Sequence, residues 1–341
     1  MRIALVTGGG DSSAINAAIR AVVHKCYAEK FEVIGVKSGW RGLIFDEVEP
    51  LFLGSVAGIL QHGGTILGTS RTNPFKVEHG VENLVVNVRK HGIDAIIAVG
   101  GEDTNGVAHK LAELGLKCVG VPQTIDNDLP GTDYSIGFDT AVSVAMDAID
   151  KLHTTAAAHH RVMVLEVMGR DAGWIALIAG IAGGADTILV PEVPFSLDEI
   201  EERIEQRRKM NKLYSIIIVS EGAKPTGTDI QFIRDQKKDP FGHVRLGGIG
   251  EWLALSLEER TGYETRVTHL GHLQRGGTPT VFDRVLATRL GVYAVEMVKE
   301  GHFDCMVCLC QNRLTAVPYS EALAGTKTID LQLFELAKLF G

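Results

Sequence analysis

Short apolar runs rich in β-branched residues recur along the chain, and each is followed by a polar turn and then by a helical pattern. Continuous apolar strands are typical of a parallel sheet that helices cover on both faces. Alternation of strand and helix therefore indicates an α/β fold of the doubly wound class. We predict strands at Ile3–Thr7, Ala95–Val99, Cys118–Val121, Val162–Val167, Thr187–Val190 and Tyr214–Ser220.

Helical patterns fill the segments between these strands. They are predicted over Ile15–Ala28, up to about Leu114, over Asp139–Leu152, from about Ala172, and after an N-cap at Ser196. A length of 341 residues suits two domains rather than one. Because no flexible linker separates them, we predict two Rossmann-like lobes that exchange segments of chain and enclose a cleft.

Net charge argues against nucleic acid as a partner. The chain carries 34 Lys+Arg against 42 Asp+Glu, a formal charge of −8, and no basic stripe. The most basic run, Arg207–Lys209, follows several glutamates and is interpreted as a solvated helix face.

Neither a membrane segment nor a metal-binding cysteine cluster is predicted. The longest apolar candidate, Ala172–Ala185, is too short to span a bilayer, so we expect a cytoplasmic protein. The small residues from Gly180 to Ala185 suit close helix packing. Cys305, Cys308 and Cys310 fall within an apolar run that we interpret as a strand rather than a zinc site.

Glycine is in excess, at 39 of 341 residues, or ~11% against a usual level of about 7%. The first loop, Gly8-Gly9-Gly10-Asp11, suits either an anion site or a plain strand-to-helix turn. Ser13 occupies the third glycine position of a dinucleotide fingerprint, which argues against a dehydrogenase. The chain also lacks the P-loop pattern, which excludes P-loop ATPases.

Two further loops carry carboxylates directly after predicted strands. Gly100–Thr104 sets two acids and a hydroxyl at a helix N-terminus, where they complement the helix dipole or serve Mg²⁺ that bridges phosphates. Thr124–Asp128 carries acids at i and i+2, which suits either a general base or an Asx-turn. Cations beside glycines in other loops look more like phosphate recognition than scattered surface residues. These cations are Arg161, Arg170, Arg266, His272 and Arg275.

Taken together, these motifs resemble the phosphofructokinase family almost from end to end, and the version of the motifs looks actinobacterial. The matching segments are Gly8–Asp11, Gly63–Thr65, Gly68–Arg71, Gly100–Thr104, Thr124–Asp128, Glu166–Arg170, Ser220–Gly222 and Leu270–Gly277. The resemblance implies a larger donor-binding domain formed by residues 1–137 and 274–303. It also implies a smaller sugar-phosphate domain formed by residues 138–273 and 304–341, with the active site in the cleft between them.

The resemblance also implies roles for individual residues. Asp126 would take the proton from the 1-hydroxyl of fructose 6-phosphate, and Arg71 and Arg170 would stabilise the transferred group. Asp126 would also bind the substrate, and Thr124, which counts with it among the catalytic residues, and Asp128 would help place the sugar and the metal. Met168, Gly169, Arg170 and Glu221 would hold the sugar, and His272 and Arg275 its 6-phosphate. Arg161 and Arg266 would come from a neighbouring subunit of a homodimer or homotetramer. Gly10, Arg71, Asp103, Thr104 and Gln123 would face the phosphoryl donor, and Glu102 would face Mg²⁺.

The donor is the open choice within this family. By resemblance, Asp103 stands where ATP users carry glycine, which favours pyrophosphate, whereas Gln123 replaces the lysine usual in pyrophosphate users. Ser13, Ala14, Asn105 and Asp171 are further departures from the family pattern. The alternatives are ATP as donor or, in another class, a non-catalytic sugar-phosphate or nucleotide sensor. Because His24 and His153 replace arginines of the bacterial regulatory site, while Arg20 remains, we expect little allosteric control.

Overall fold

The computed structural model describes residues 1–227, 232–235 and 245–340. The first part of the chain alternates strands and helices. Its elements are β1 (Arg2–Thr7), α1 (Ile15–Ala28), β2 (Glu32–Val36), α2 (Trp40–Ile44), β3 (Val48–Leu51), α3 (Gly80–Lys90), β4 (Ala95–Gly100), α4 (Glu102–Glu113), β5 (Cys118–Pro122) and α5 (Phe138–His159). Two short 3₁₀ turns, Leu53–Val56 and Pro74–Lys76, lie within it.

The second part continues the alternation. Its elements are β6 (Val162–Val167), α6 (Trp174–Gly183), β7 (Thr187–Leu189), α7 (Leu197–Lys209), β8 (Ser215–Ser220), β9 (Ile233–Asp235), β10 (Arg245–Leu246), α8 (Ile249–Thr261), β11 (Thr265–His269), a 3₁₀ turn (Gly271–Arg275), α9 (Val281–Glu300), β12 (Cys305–Cys310), β13 (Arg313–Pro318), α10 (Tyr319–Ala322) and α11 (Leu331–Ala337).

The described residues divide into two compact units. Unit 1 contains Met1–Thr140 and Arg275–Thr326, and unit 2 contains the described residues from Ala141 through Gln274 and from Lys327 onward. Unit 1 is built on a seven-stranded sheet in the order β13-β12-β5-β4-β1-β2-β3. All neighbouring strands are parallel except β2 with β3 and β12 with β13, so both edges are antiparallel.

Helices cover both faces of this sheet, as the continuous apolar strands predict. On one face, Ile3 and Leu5 pack with the buried residues of α1 and α9. On the other face, Ala4 and Val6 pack with α2, α3 and α4. Because successive side chains of a strand point to opposite faces, β1 supplies apolar residues to both cores.

Unit 2 is built on a four-stranded parallel sheet in the order β11-β6-β8-β7. Val164 and Ile217 belong to a core that α7 and α8 cover. The predicted close packing by small residues is confirmed at Gly180 of α6, where a Cβ would lie 2.6 Å from Ile188 Cδ1 and 2.9 Å from Ile218 Cγ2. β9 and β10 form a separate antiparallel pair.

The α/β class with two mainly parallel sheets is confirmed, and the predicted strands agree with the structure within one residue at each end. The run with Cys305, Cys308 and Cys310 forms β12, as expected. Across the part of the chain that is described, no helix combines the length and apolar character needed to cross a membrane.

The prediction of a solvated helix face at Arg207–Lys209 is wrong for Arg207. Its side chain shares the buried stripe of Ile200 and Ile204 on α7, and the residue is 8% exposed. Arg207 Nη1 pairs with Asp186 Oδ1 at 2.7 Å, and Asp186 Oδ2 accepts a hydrogen bond from Ile216 N at 2.8 Å. Burial raises the pKa of the Asp186 carboxyl. Arg207 is therefore buried because its guanidinium pairs with the carboxylate of Asp186, which is itself buried beside β7.

A second buried carboxylate, Asp283 of α9, caps the N-terminus of α5. Its Oδ1 accepts from Gly137 N at 2.9 Å, and its Oδ2 accepts from Thr140 N at 2.9 Å and from Thr140 Oγ1 at 2.5 Å. Desolvation raises the pKa of this fully buried carboxyl, although the three hydrogen bonds oppose the rise. Asp283 thus satisfies N–H groups at the start of α5 that the helix itself leaves unpaired.

We expect Asp283→Ala to lower the free energy of unfolding by about 3 kcal/mol, because it strips buried donors of their acceptor. The measurement is urea unfolding followed by circular dichroism. Asp330→Ala is the matched control, since Asp330 is an exposed N-cap whose side chain accepts from Gln332 N at 2.8 Å. This substitution should cost about 1 kcal/mol. A loss at Asp283 no larger than at Asp330 would contradict the buried cap.

Candidate functional site

The first glycine loop of unit 1 follows β1 and is fixed by its backbone. Gly8 N donates to Val99 O at 3.0 Å, and Gly9 N donates to Ser70 O at 3.2 Å. Thr69 Oγ1 returns a hydrogen bond to Gly9 O at 2.8 Å. The loop is thereby joined to the end of β4 and to the segment that precedes the exposed Arg71.

The acidic loop follows β4, which is the neighbour of β1 in the sheet. Glu102 is exposed and Asp103 is half-buried in the first turn of α4, as the sequence predicts. Thr104 is buried, and its side chain lies where a Cβ on Gly8 or Gly100 would stand. Glu102 and Asp103 thus reach the surface of this edge, whereas Thr104 packs the two glycine loops together.

The loop Thr124–Asp128 follows β5, the next strand of the sheet. Thr124 Oγ1 accepts from Asp126 N at 3.2 Å. Asn127 is buried. Its φ of +51° lies in the left-handed region, where Asn is tolerated better than most residues. Its Nδ2 donates to Asp133 O at 3.1 Å and its Oδ1 accepts from Ser135 N at 2.9 Å. Asn127 therefore holds the loop, and Asp126 on it is partly exposed.

Two other predicted residues contact the first loop. Gln123 is 1% exposed, and its Nε2 donates to Gly10 O at 3.2 Å. Arg275 Nη1 donates to Asp11 O at 3.1 Å and lies 2.6 Å from the position of a Cβ on Gly10. A side chain at position 10 would therefore require the guanidinium to shift. Arg275 therefore rests on the loop predicted to face the donor.

Hydrogen bonds between side chains and backbone join three loops of unit 2. Ser220 Oγ donates to Gly169 O at 2.6 Å, and Gly169 has φ +135°, a conformation that only glycine adopts freely. The buried Gln274 accepts from Met168 N at 3.3 Å and donates to Gly271 O at 3.0 Å. The loops after β6, β8 and β11, which carry the residues predicted to hold the sugar phosphate, therefore lie together.

The charged side chains of these unit 2 loops remain accessible. Arg170 Nε donates to Asp171 Oδ2 at 2.6 Å, so the departure at position 171 supplies a carboxylate to the arginine. Glu221 is partly exposed, and its N–H donates to Val167 O at 2.9 Å. His272 is exposed in the 3₁₀ turn.

Arg161 and Arg266 share one acid that the sequence analysis missed. Arg161 Nε pairs with Glu264 Oε2 at 2.7 Å, and Arg266 Nη2 pairs with Glu264 Oε1. The hydrogen bond from Arg161 is the main cause that lowers the pKa of Glu264. The signal was the i, i+2 spacing of Glu264 and Arg266 around the start of a strand, which sends both side chains to one face.

His153 on α5, one of the residues on which the prediction of little allosteric control rests, makes its contacts within unit 2. His153 Nε2 donates to Gly183 O at 2.8 Å, and its Nδ1 lies 3.4 Å from Tyr214 Oη. The ring therefore contacts groups within unit 2 at both nitrogens. The expectation of little effector control stays a prediction.

Each unit is thus an α/β body with glycines, carboxylates and guanidinium groups at the carboxyl ends of its strands. This arrangement is typical of enzymes that handle phosphorylated substrates. The family model described as phosphofructokinase matches residues 2–298.

Individual relatives agree with that match. The pyrophosphate–fructose 6-phosphate 1-phosphotransferase of Amycolatopsis methanolica is 54% identical over 100% of this chain and 99% of its own length. The ATP-dependent 6-phosphofructokinase of Corynebacterium efficiens is 47% identical over 100% and 99%. The Pichia pastoris phosphofructokinase in the T-state superposes with a TM-score of 0.83 at 31% identity, over 99% of this chain and 36% of that longer one.

The chain belongs to the phosphofructokinase family. It is therefore a phosphotransferase, and the family predicted from its motifs is confirmed.

Proposed function

We propose that this protein transfers a phosphoryl group from pyrophosphate to the 1-hydroxyl of fructose 6-phosphate, giving fructose 1,6-bisphosphate. The observation that carries the choice of donor is Asp103, a half-buried carboxylate in the first turn of α4 beside the glycine loops. A third phosphate near this carboxylate would meet like charge at short range, which is costly where water is excluded. The name of the Amycolatopsis methanolica relative supports the same donor.

Transfer of this kind needs mainly positioning and charge stabilisation. Asp126 is the general base that accepts the proton of the sugar hydroxyl, and the buried Asn127 next to it keeps its loop in one conformation. Thr124 and Asp128 flank the base. Arg71 and Arg170 supply positive charge to the transferred group.

Unit 2 supplies most of the residues that bind the sugar phosphate in this proposal, and Arg275 comes from unit 1. Met168, Gly169, Arg170 and Glu221 contact the sugar, and His272 contacts its 6-phosphate together with Arg275. Arg161 and Arg266 extend toward the phosphate of a neighbouring subunit, and Glu264 pre-orients both guanidinium groups. We therefore propose a homodimer or homotetramer. We also propose that the protein is cytoplasmic.

Phosphoryl transfer in this family generally needs a divalent metal, for which we propose Mg²⁺ at Glu102. In residues 1–227, 232–235 and 245–340, no three His, Cys, Asp or Glu side chains gather as a metal cage. Mg²⁺ does not need one, because it keeps several waters and binds one or two carboxylates together with substrate phosphates. An exposed Glu102 at the edge of the donor loops fits that chemistry, and bound Mg²⁺ would neutralise charge on the phosphate oxygens.

The test is a steady-state assay of fructose 6-phosphate and Mg²⁺ with pyrophosphate or ATP. We expect faster turnover with pyrophosphate than with ATP. The pyrophosphate reaction should also run readily in both directions, because pyrophosphate and fructose 1,6-bisphosphate differ little in the free energy of phosphoryl transfer. Faster turnover with ATP would overturn the proposed donor, and the Corynebacterium efficiens relative makes ATP the second candidate. Binding of fructose 6-phosphate without turnover would instead favour the sensor.

A further inference from the structure

Three polar side chains lie fully inside unit 1 at the edge of the sheet that carries the donor loops. Ser13 is 1% exposed, Asn105 0% and Gln123 1%. Burial of a polar side chain is unfavourable unless its hydrogen bonds are replaced. The bonds that each one makes therefore indicate why it is there.

All three side chains donate to carbonyl oxygens of loop glycines. We call Ser13, Asn105 and Gln123 the glycine brace. Its hydrogen bonds run from Asn105 Nδ2 to Gly100 O (2.7 Å) and Gly101 O (3.1 Å), from Gln123 Nε2 to Gly10 O (3.2 Å), and from Ser13 Oγ to Gly276 O (2.8 Å).

These side chains are not explained by packing alone. Asn105 Oδ1 and Gln123 Oε1 are buried and have no hydrogen-bond partner among the described residues. A leucine or methionine would fill a similar volume without leaving an acceptor unpaired. The amides contribute their N–H groups to the glycine carbonyls. At Gly100 O and Gly101 O they add to backbone hydrogen bonds from Gln123 N and Asn105 N, both at 3.0 Å.

The direction of the carbonyls has a consequence for the other side of each peptide. The described residues contain no cis peptide bond, and in a trans peptide the N–H points opposite to the C=O. A carbonyl bound to a buried side chain is directed into the protein, so the N–H that follows it is directed the other way. The peptide groups concerned are the N–H groups of Asp11, Gly101, Glu102 and Gly277.

We infer that the glycine brace positions these peptide N–H groups to receive the phosphates of the phosphoryl donor. The three side chains are positioning residues, because they act through the loop backbone rather than by touching the donor. A carbonyl oxygen turned toward an anion would weaken its binding, and a loop held in this way keeps its carbonyl oxygens turned away. The inference rests on the proposed function, since it assigns the donor to these loops.

The test uses Asn105→Leu, Gln123→Met and Ser13→Ala in the full-length protein, each of which removes the donated hydrogen bond without adding charge. We expect KM for the donor to rise about 10-fold in each variant, while KM for fructose 6-phosphate changes less than 2-fold. Ser13→Ala is the mildest change and keeps the test open if a larger substitution prevents folding.

Asn87→Leu is the matched control. Asn87 Nδ2 also donates to two successive carbonyls, Leu43 O at 2.8 Å and Ile44 O at 3.3 Å, on elements that carry none of the donor loops. It should leave both KM values unchanged. Brace variants that behave like Asn87→Leu, or that raise both KM values equally, would overturn the inference.

The wild-type assay separates this inference from the proposed function. If ATP proves to be the donor, the same KM comparison is made with ATP, and the brace is still tested. If neither donor is turned over, calorimetric binding of pyrophosphate replaces KM. A dissociation constant for pyrophosphate that is 10-fold larger in the variants supports the brace, and equal binding by wild type and variants contradicts it.

Discussion

Replacing Asp126 by Asn is expected to lower kcat by about 10²- to 10⁴-fold, the usual contribution of a general base. The amide has the same shape but cannot accept the proton of the sugar 1-hydroxyl. KM for fructose 6-phosphate should change little, because hydrogen bonds of Asn127 and Ser135 hold the loop that carries Asp126. The measurement is steady-state kinetics in both reaction directions.

A matched control for this variant is Asp147→Asn, since Asp147 lies on the exposed side of α5 and pairs only with Lys151 in the contacts that the structure describes. It should retain wild-type kcat. A fall in kcat of less than 10-fold for Asp126→Asn would show that another group accepts the proton. A large rise in KM would instead assign Asp126 to binding.

Asp103→Gly is expected to raise the ratio of kcat/KM for ATP to that for pyrophosphate by about 100-fold, equivalent to about 2.7 kcal/mol. The substitution removes both the bulk and the charge that would oppose a third phosphate. The measurement is kcat/KM for each donor at saturating fructose 6-phosphate.

Two further variants separate the causes. Asp103→Asn keeps the size and removes the charge, so it isolates the electrostatic part of the change. Glu113→Gly introduces the same residue at the other end of α4 and reports any general effect of glycine on the helix. An unchanged donor ratio in Asp103→Gly would refute the role of Asp103 in donor choice.

Most of the fold could be predicted from the sequence, because its signals are local. Five-to-six-residue apolar strands such as β1 and β6 end at glycine turns, and helices such as α1 begin soon after them. Burial on both faces makes each strand continuously apolar, so the pattern alone indicates a covered parallel sheet. The loops that carry candidate site residues follow directly, since they are the segments after the strands.

The parts that could not be predicted depend on partners distant in sequence. Arg207 lies in a run of charged residues, and nothing local shows that Asp186 is buried within reach. Asp283 gives no sign that its acceptors serve the start of α5, 143 positions earlier at Thr140. Local patterning reports which side of a helix is apolar, but not where a buried opposite charge or an orphan N–H will lie.

The same limit applies to the candidate site. The motif around Arg275 predicted a phosphate-binding arginine, yet its guanidinium rests on Gly10 and Asp11, more than 260 positions away along the chain. In the sequence, Ser13 and Asn105 stand out only as departures from a family pattern, and Gln123 as a departure that is also predicted to face the donor. Their shared contact with glycine carbonyls became apparent once the loops were folded together.

The glycine brace has an evolutionary consequence. Its members come from three separate stretches of chain but secure the backbone of one set of loops, so their effects on donor use should be epistatic rather than independent. In a lineage that exchanged one phosphoryl donor for another by a substitution at position 103, the residues at positions 13, 105 and 123 would already determine the backbone conformation of the donor loops. The order in which such substitutions accumulated would then decide which intermediates were active enough to persist.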